Sequence, residues 1–148
     1  MVLEYQKQGS LLGQILKNTE FEEKQVKIIM EQLLLGIDFM HQKGIVHRDI
    51  KLDNVLINRI EEEEFNVKIA DFGLAVYLPK GVENPKLRDK CGTPCYVAPE
   101  ILREEGYDTK CDIFSCGSLM FGLLTGRYLF KGEDKRELLQ KNKLCNLK

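Results

Sequence analysis

One segment constrains the fold more than any other. Val26, Ile29, Met30, Leu33, Ile37 and Met40 recur at three- and four-residue steps, which gathers them on one face of a helix. Thr19-x-x-Glu22 ahead of them reads as a capping box, and Gly44 behind them as a stop. With 148 residues, 43% apolar and 30% charged, the chain has the balance of a soluble globular protein and enough length to bury a core.

Other elements follow from the same reasoning. Ser10 offers an N-cap to a short helix through Leu11, Leu12, Ile15 and Leu16. Asp112 to Thr125 is apolar nearly all round, which predicts a buried helix closed by Gly126. Asp134-x-x-Glu137 looks like one more helix cap. Val55-Leu56-Ile57 and Val67-Lys68-Ile69 read as two short strands. The loop between them, Asn58 to Asn66, carries the acidic run Glu61 to Glu64, read as a solvated tip rather than a cation site. Met1-Val2-Leu3 is apolar and short, the tail of a strand with no obvious sheet to join. Ala75 to Tyr96 has no clean period and is long for a structureless connection, so a functional or disordered loop is expected. There is no internal repeat and no linker between domains.

Charge and cysteine usage exclude several classes. Lys and Arg total 22 against 23 Asp and Glu, a formal net charge of −1, so no general attraction to nucleic acid or to an anionic membrane is expected. No run reaches the ~18 apolar residues of a membrane span, and the N-terminus lacks the basic start and apolar middle of a secretion signal. A cytoplasmic setting follows, with Cys91, Cys95, Cys111, Cys116 and Cys145 as free thiols. Zinc is disfavoured because the spacing of the first four is looser than paired C-x-x-C. A Cys91–Cys95 redox pair is the other reading of those two thiols.

The chemistry concentrates in His47-Arg48-Asp49-Ile50-Lys51-Leu52-Asp53-Asn54, followed by Asp71-Phe72-Gly73. A carboxylate, an amine and an amide carbonyl share one loop between a long helix and a short strand. Phosphoryl transfer requires an oriented hydroxyl, Mg²⁺ on the phosphates and cations near the developing charge. Asp49 could accept the hydroxyl proton, Lys51 could stand by the phosphoryl group, and Asn54 and Asp71 supply hard oxygens for Mg²⁺.

H-R-D-x-K-x-x-N, then D-F-G, then Ala98-Pro99-Glu100, in this order, resembles the signature set of a eukaryotic protein kinase catalytic domain. Lys51 and Gly92-Thr93-Pro94 resemble the serine/threonine type, and Asp89-Lys90-Cys91-Gly92-Thr93-Pro94 is similar to the calmodulin-dependent kinase branch. The resemblance implies a kinase-like, mainly α-helical large lobe with a short β-hairpin, using ATP and Mg²⁺ on protein serine or threonine hydroxyls. It implies that Leu3 is the gatekeeper, that Glu4 and Gln6 offer backbone groups to adenine, and that Leu56 lies under the base. It makes the helix from Thr19 the support of the catalytic loop and Asp112 the brace of that loop's backbone. It gives Thr93 a hydroxyl bonded to Asp49 and Lys51. It makes His47 a packing residue against Phe72, while His41 is expected to be structural or exposed. Asp89 stands where many relatives carry a phosphothreonine, and an Arg48–Asp89 pair would order the loop without phosphate.

Some family features do not occur in the sequence: a G-x-G-x-x-G loop, the strand lysine, its helix glutamate, and a later arginine for Glu100. Residues 1–148 are therefore read as hinge and large lobe of a partial kinase domain, with Glu100 expected to be an unpaired carboxylate. The rival expectation is a catalytically inactive lobe acting as a protein-binding module, with a regulatory protein partner. Asp53 suits a basic substrate, whereas Gly122 and Cys95 stand where basophilic relatives carry carboxylates.

Overall fold

A computed structural model describes residues 2–17, 20–59, 65–78 and 86–146. Helices α1 (Leu11–Leu16) and α2 (Glu23–Gln42) come first. Strands β1 (Ile45–Val46), β2 (Val55–Arg59), β3 (Phe65–Ile69) and β4 (Val76–Tyr77) follow, with a 3₁₀ turn at Phe72–Leu74 between the last two. Helices α3 (Pro99–Arg103), α4 (Lys110–Thr125) and α5 (Lys135–Lys143) complete the chain.

The apolar stripe of α2 is the centre of the molecule. Val26, Ile29, Met30, Leu33, Ile37 and Met40 are all buried, and α2 packs on β3, α4 and β1. Each such side chain contributes about 1.5–3 kcal/mol when fully removed from water. The helix starts later than the sequence suggests. Thr19 lies outside the described residues, and the N-cap is Glu22, whose backbone N–H donates to Gln25 Oε1 at 3.1 Å. The capping box is thus displaced by three residues, because Glu22 is the last extended residue and Gln25 reaches back to it.

The two expected strands pair antiparallel, Val55 opposite Ile69 and Ile57 opposite Val67. The acidic run between them lies outside the described residues. A second two-stranded sheet, β1 with β4, was not legible in the sequence. Gly44 explains how it forms: φ is +79°, and a Cβ there would stand 2.6 Å from the Leu78 carbonyl oxygen. Only glycine lets the two segments approach so closely. The same glycine's carbonyl accepts from Leu78 N–H at 2.7 Å. Val2 to Tyr5 forms no strand, since no neighbouring strand among the described residues offers it a ladder.

Helix α4 differs from the expectation in one respect. Cys111, Asp112, Ser115, Cys116, Ser118, Leu119, Gly122 and Leu123 are buried, but Ile113, Met120 and Leu124 are exposed. That outer face is only partly covered among the described residues. The buried serines stitch the helix to the preceding loop: Ser115 Oγ donates to Tyr96 O at 2.9 Å and Ser118 Oγ to Cys95 O at 2.7 Å. Ser10 caps α1, Asp134 caps α5 through Glu137 N–H at 2.8 Å, and Gly126 ends α4 at φ +64°.

Candidate active site

The loop from His47 to Asn54 runs between β1 and β2, and α4 holds it from below. Asp112, fully buried, accepts from His47 N–H at 2.9 Å and Arg48 N–H at 2.8 Å. His41, on the last turn of α2, stands 2.8 Å from the same carboxylate. One buried carboxylate thus satisfies two backbone donors of a turn in which Arg48 has φ +68°, and buried donors require such partners. His47 is also fixed. Its Nδ1 accepts from Asp49 N–H at 3.3 Å, so its Nε2–H donates to Ala70 O at 3.1 Å. Its ring meets Phe72 edge-on at 5.0 Å. Both ring nitrogens of His47 are therefore occupied.

Asp49 is the hub. Thr93 Oγ1 donates to its Oδ1 at 2.6 Å, while Lys51 Nζ at 2.6 Å and Asn54 Nδ2 at 3.2 Å reach its Oδ2. Lys51 also bonds Thr93 Oγ1 at 2.9 Å. A carboxylate has about four lone-pair sites, so Asp49 retains acceptor capacity for one more donor. The geometry brings Asp49, Lys51, Asn54 and Thr93 into one cluster.

Asn54 donates from Nδ2 both to Asp49 O and to Asp49 Oδ2, and its Oδ1 has no partner among the described residues. Asp71 has φ +60°, and its Oδ1 accepts only from Gly73 N–H at 3.2 Å. Asn54 Oδ1 and the other Asp71 oxygen, Oδ2, are hard oxygens with no hydrogen-bond partner among the described residues, which fits Mg²⁺. The residues expected to meet adenine are placed differently. Leu3 is 73% exposed, Glu4 bonds the Gln6 side chain at 2.9 Å, and Lys68 lies 3.7 Å from Glu4. Gln6 O accepts from Gly9 N–H, and Gly9 O accepts from Ile57 N–H, so the segment lies against β2 beside Leu56. The Gln6 N–H and Glu4 carbonyl are in no backbone hydrogen bond among the described residues.

Arg48 Nη1 meets Asp89 Oδ2 at 3.1 Å, and Arg48 Nε donates to Leu74 O at 2.7 Å. Two partners were missed in the sequence. The Tyr107 hydroxyl accepts from Arg48 Nη1 at 3.1 Å, and Asn142 of α5 donates from Nδ2 to Val97 O at 2.9 Å. A tyrosine and an asparagine outside any motif carry no signal at sequence level. Burial, followed by the neighbouring Cys91, pushes the Tyr107 phenol up. Burial, followed by Asp112, pushes the Cys116 thiol up to about 12, which makes it a core residue rather than a nucleophile. No group of three His, Cys, Asp or Glu among the described residues is placed to hold a metal alone. Glu100 is of intermediate burial, and no ion pair among the described residues includes it. No helix among the described residues is long and apolar enough to cross a membrane.

Residues 1–147 match the family described as protein kinase domain. The chain is 38% identical over 99% of its length to a probable serine/threonine-protein kinase 2 of Plasmodium falciparum, of which it covers 28%. It is 38% identical over 95% of its length to CBL-interacting protein kinase 11 of Oryza sativa, covering 27% of it. It is also 38% identical over 90% of its length to calcium-dependent protein kinase 4 of Plasmodium berghei, covering 24%. The chain therefore spans about a quarter of the length of the curated relatives it matches.

Proposed function

The chain belongs to the protein kinase domain family, of the serine/threonine type by its resemblance to named kinases, and from that premise we propose that it transfers the γ-phosphoryl group of ATP to serine or threonine hydroxyls of proteins. Residues 1–148 correspond in this reading to the hinge and large lobe of the domain. One observation carries it: the Asp49 carboxylate is held by Lys51, Thr93 and Asn54 within 2.6–3.2 Å and keeps room for one more donor.

An acceptor hydroxyl placed against Asp49 gives its proton to the carboxylate as its oxygen bonds to the γ-phosphorus and the bond to the departing ADP oxygen breaks. Lys51 sits beside the same carboxylate as a point charge for the phosphoryl oxygens. Thr93 fixes Lys51 and Asp49 relative to each other. Asn54 and Asp71 would hold Mg²⁺, which when bound neutralises phosphate charge. Leu3, Glu4, Gln6 and Leu56 would meet the adenine. The Arg48–Asp89 pair supports a loop ordered without phosphorylation.

Asp49→Asn tests the reading. It removes the base while keeping shape, so Mg²⁺-dependent phosphorylation of a generic protein substrate should fall about 10²–10⁴-fold, with nucleotide binding and thermal midpoint retained. A wild-type chain that binds no ATP in the presence of Mg²⁺ and captures a protein partner without nucleotide would favour a binding module instead.

A further inference from the structure

Arg48 is gripped from both ends by one short stretch of chain. Its φ of +68° is a conformation that persists only where the surroundings over-determine it. Asp112, at the start of α4, takes its N–H. Five residues earlier, Tyr107 takes its guanidinium at 3.1 Å. Tyr107 is 2% exposed, and its hydroxyl donates to the main-chain carbonyl of Asp89 at 2.8 Å. That uses its single proton, so the Cys91 thiol, 3.5 Å away, is the donor in its own contact with the phenol oxygen. The Tyr107 backbone also pairs with Leu87 through N–O distances of 2.7 and 3.0 Å.

The competing anchor is weaker on physical grounds. The Asp89 side chain is 77% exposed, where water and salt compete for an ion pair. Tyr107 works out of water's reach, and it bonds the main chain of residue 89, whatever side chain stands there. From this geometry we infer that Tyr107 is a positioning residue. Its buried hydroxyl, more than the Asp89 carboxylate, fastens the segment from Leu87 to Cys91 onto Arg48 and so fixes Thr93 within reach of Asp49 and Lys51. The consequence for catalysis rests on the phosphoryl-transfer reading; the fastening itself does not.

The test uses the full chain and Cys91 as reporter. Native protein is treated with iodoacetamide and each cysteine is followed by peptide mass spectrometry. Tyr107→Phe keeps the ring and removes the hydroxyl, and Cys91 alkylation should accelerate on the order of tenfold while Cys111 and Cys116 stay protected. Asp89→Ala keeps the carbonyl that Tyr107 bonds, and should change the Cys91 rate by less than about twofold. Unchanged Cys91 labelling in Tyr107→Phe overturns the inference, as does equally fast labelling in Asp89→Ala. If Tyr107→Phe exposes Cys111 and Cys116, it has unfolded, and Asp89→Ala decides alone. Where phosphoryl transfer is measurable, Tyr107→Phe should lower kcat and leave KM for ATP unchanged. A chain without transfer activity removes the phosphoryl-transfer reading and leaves the labelling result standing.

Discussion

The loop around the site is held in two ways, and distance does not tell them apart. On the inner side Asp112 accepts from His47 and Arg48 at 2.8–2.9 Å, and Ser115 and Ser118 bond Tyr96 O and Cys95 O. On the outer side Lys86 meets Asp108 at 2.6 Å and Lys90 meets Glu104 at 3.0 Å. The outer contacts are equally short. They differ in solvent: Lys86 and Asp108 are 45% and 35% exposed, while Asp112 has no exposure at all. Water replaces a lost partner at the outer edge and cannot do so under the His47–Asn54 loop. The inner contacts therefore position, and the outer ones trim.

Asp112→Ala is the largest break of that contrast. It leaves the N–H groups of His47 and Arg48 buried without an acceptor, together with the His41 ring. Unfolding in urea should show a loss of about 3 kcal/mol or more, and Arg48 should lose its constrained backbone. A loss within 0.5 kcal/mol, of the order typical for surface substitutions, would mean that water reaches the cavity and that burial is not what separates the two sides.

Ser118→Ala sharpens the comparison at an intermediate size. The substitution orphans the Cys95 carbonyl, which accepts from Ser118 Oγ at 2.7 Å. The expected loss is about 1–2 kcal/mol by the same denaturation, with phosphoryl transfer lowered because the loop it ties carries Thr93. Ser115→Ala should cost less, because Ser115 Oγ is also shared with Cys111 O inside its own helix.

What was legible at the outset follows the same division between local and distant causes. The stripe of α2, the caps at Ser10 and Asp134 and the β2–β3 pair are local patterns, and each stands in its expected place; the motif residues Asp49, Lys51, Asn54 and Thr93 come together in one cluster, and their chemical roles belong to the proposal. The β1–β4 sheet was hidden because it depends on Gly44 admitting Leu78 from more than thirty residues away. The start of α2 moved because Glu22 and Gln25 form the same box as Thr19 and Glu22 would, and sequence alone does not rank them. Tyr107 escaped notice because its role exists only once Arg48, Asp89 and Cys91 converge on its hydroxyl. The exposed face of α4 could not be read from hydrophobicity, which reports what a helix would bury and not what is there to cover it.

The smallest effect belongs to the outer edge and is a matter of pH. Asp108 has its carboxyl held below the usual value near 3.8, first by the Lys86 ammonium and then by the Lys110 N–H at 2.9 Å. A depressed folded-state value means that the carboxylate adds stability above about pH 4, and that this contribution fades as pH falls through the folded value. Lys86→Ala should therefore lower the melting temperature slightly at pH 7, and by progressively less as the pH falls through the depressed folded-state value of Asp108. Because both side chains are well exposed, the pH 7 difference should shrink further in about 1 M salt, where the screening length is only ~3 Å. An effect of Lys86→Ala as large as that of Asp112→Ala, or one indifferent to salt, would show that the outer pair is sheltered in solution and would erase the distinction between the two sides of the loop.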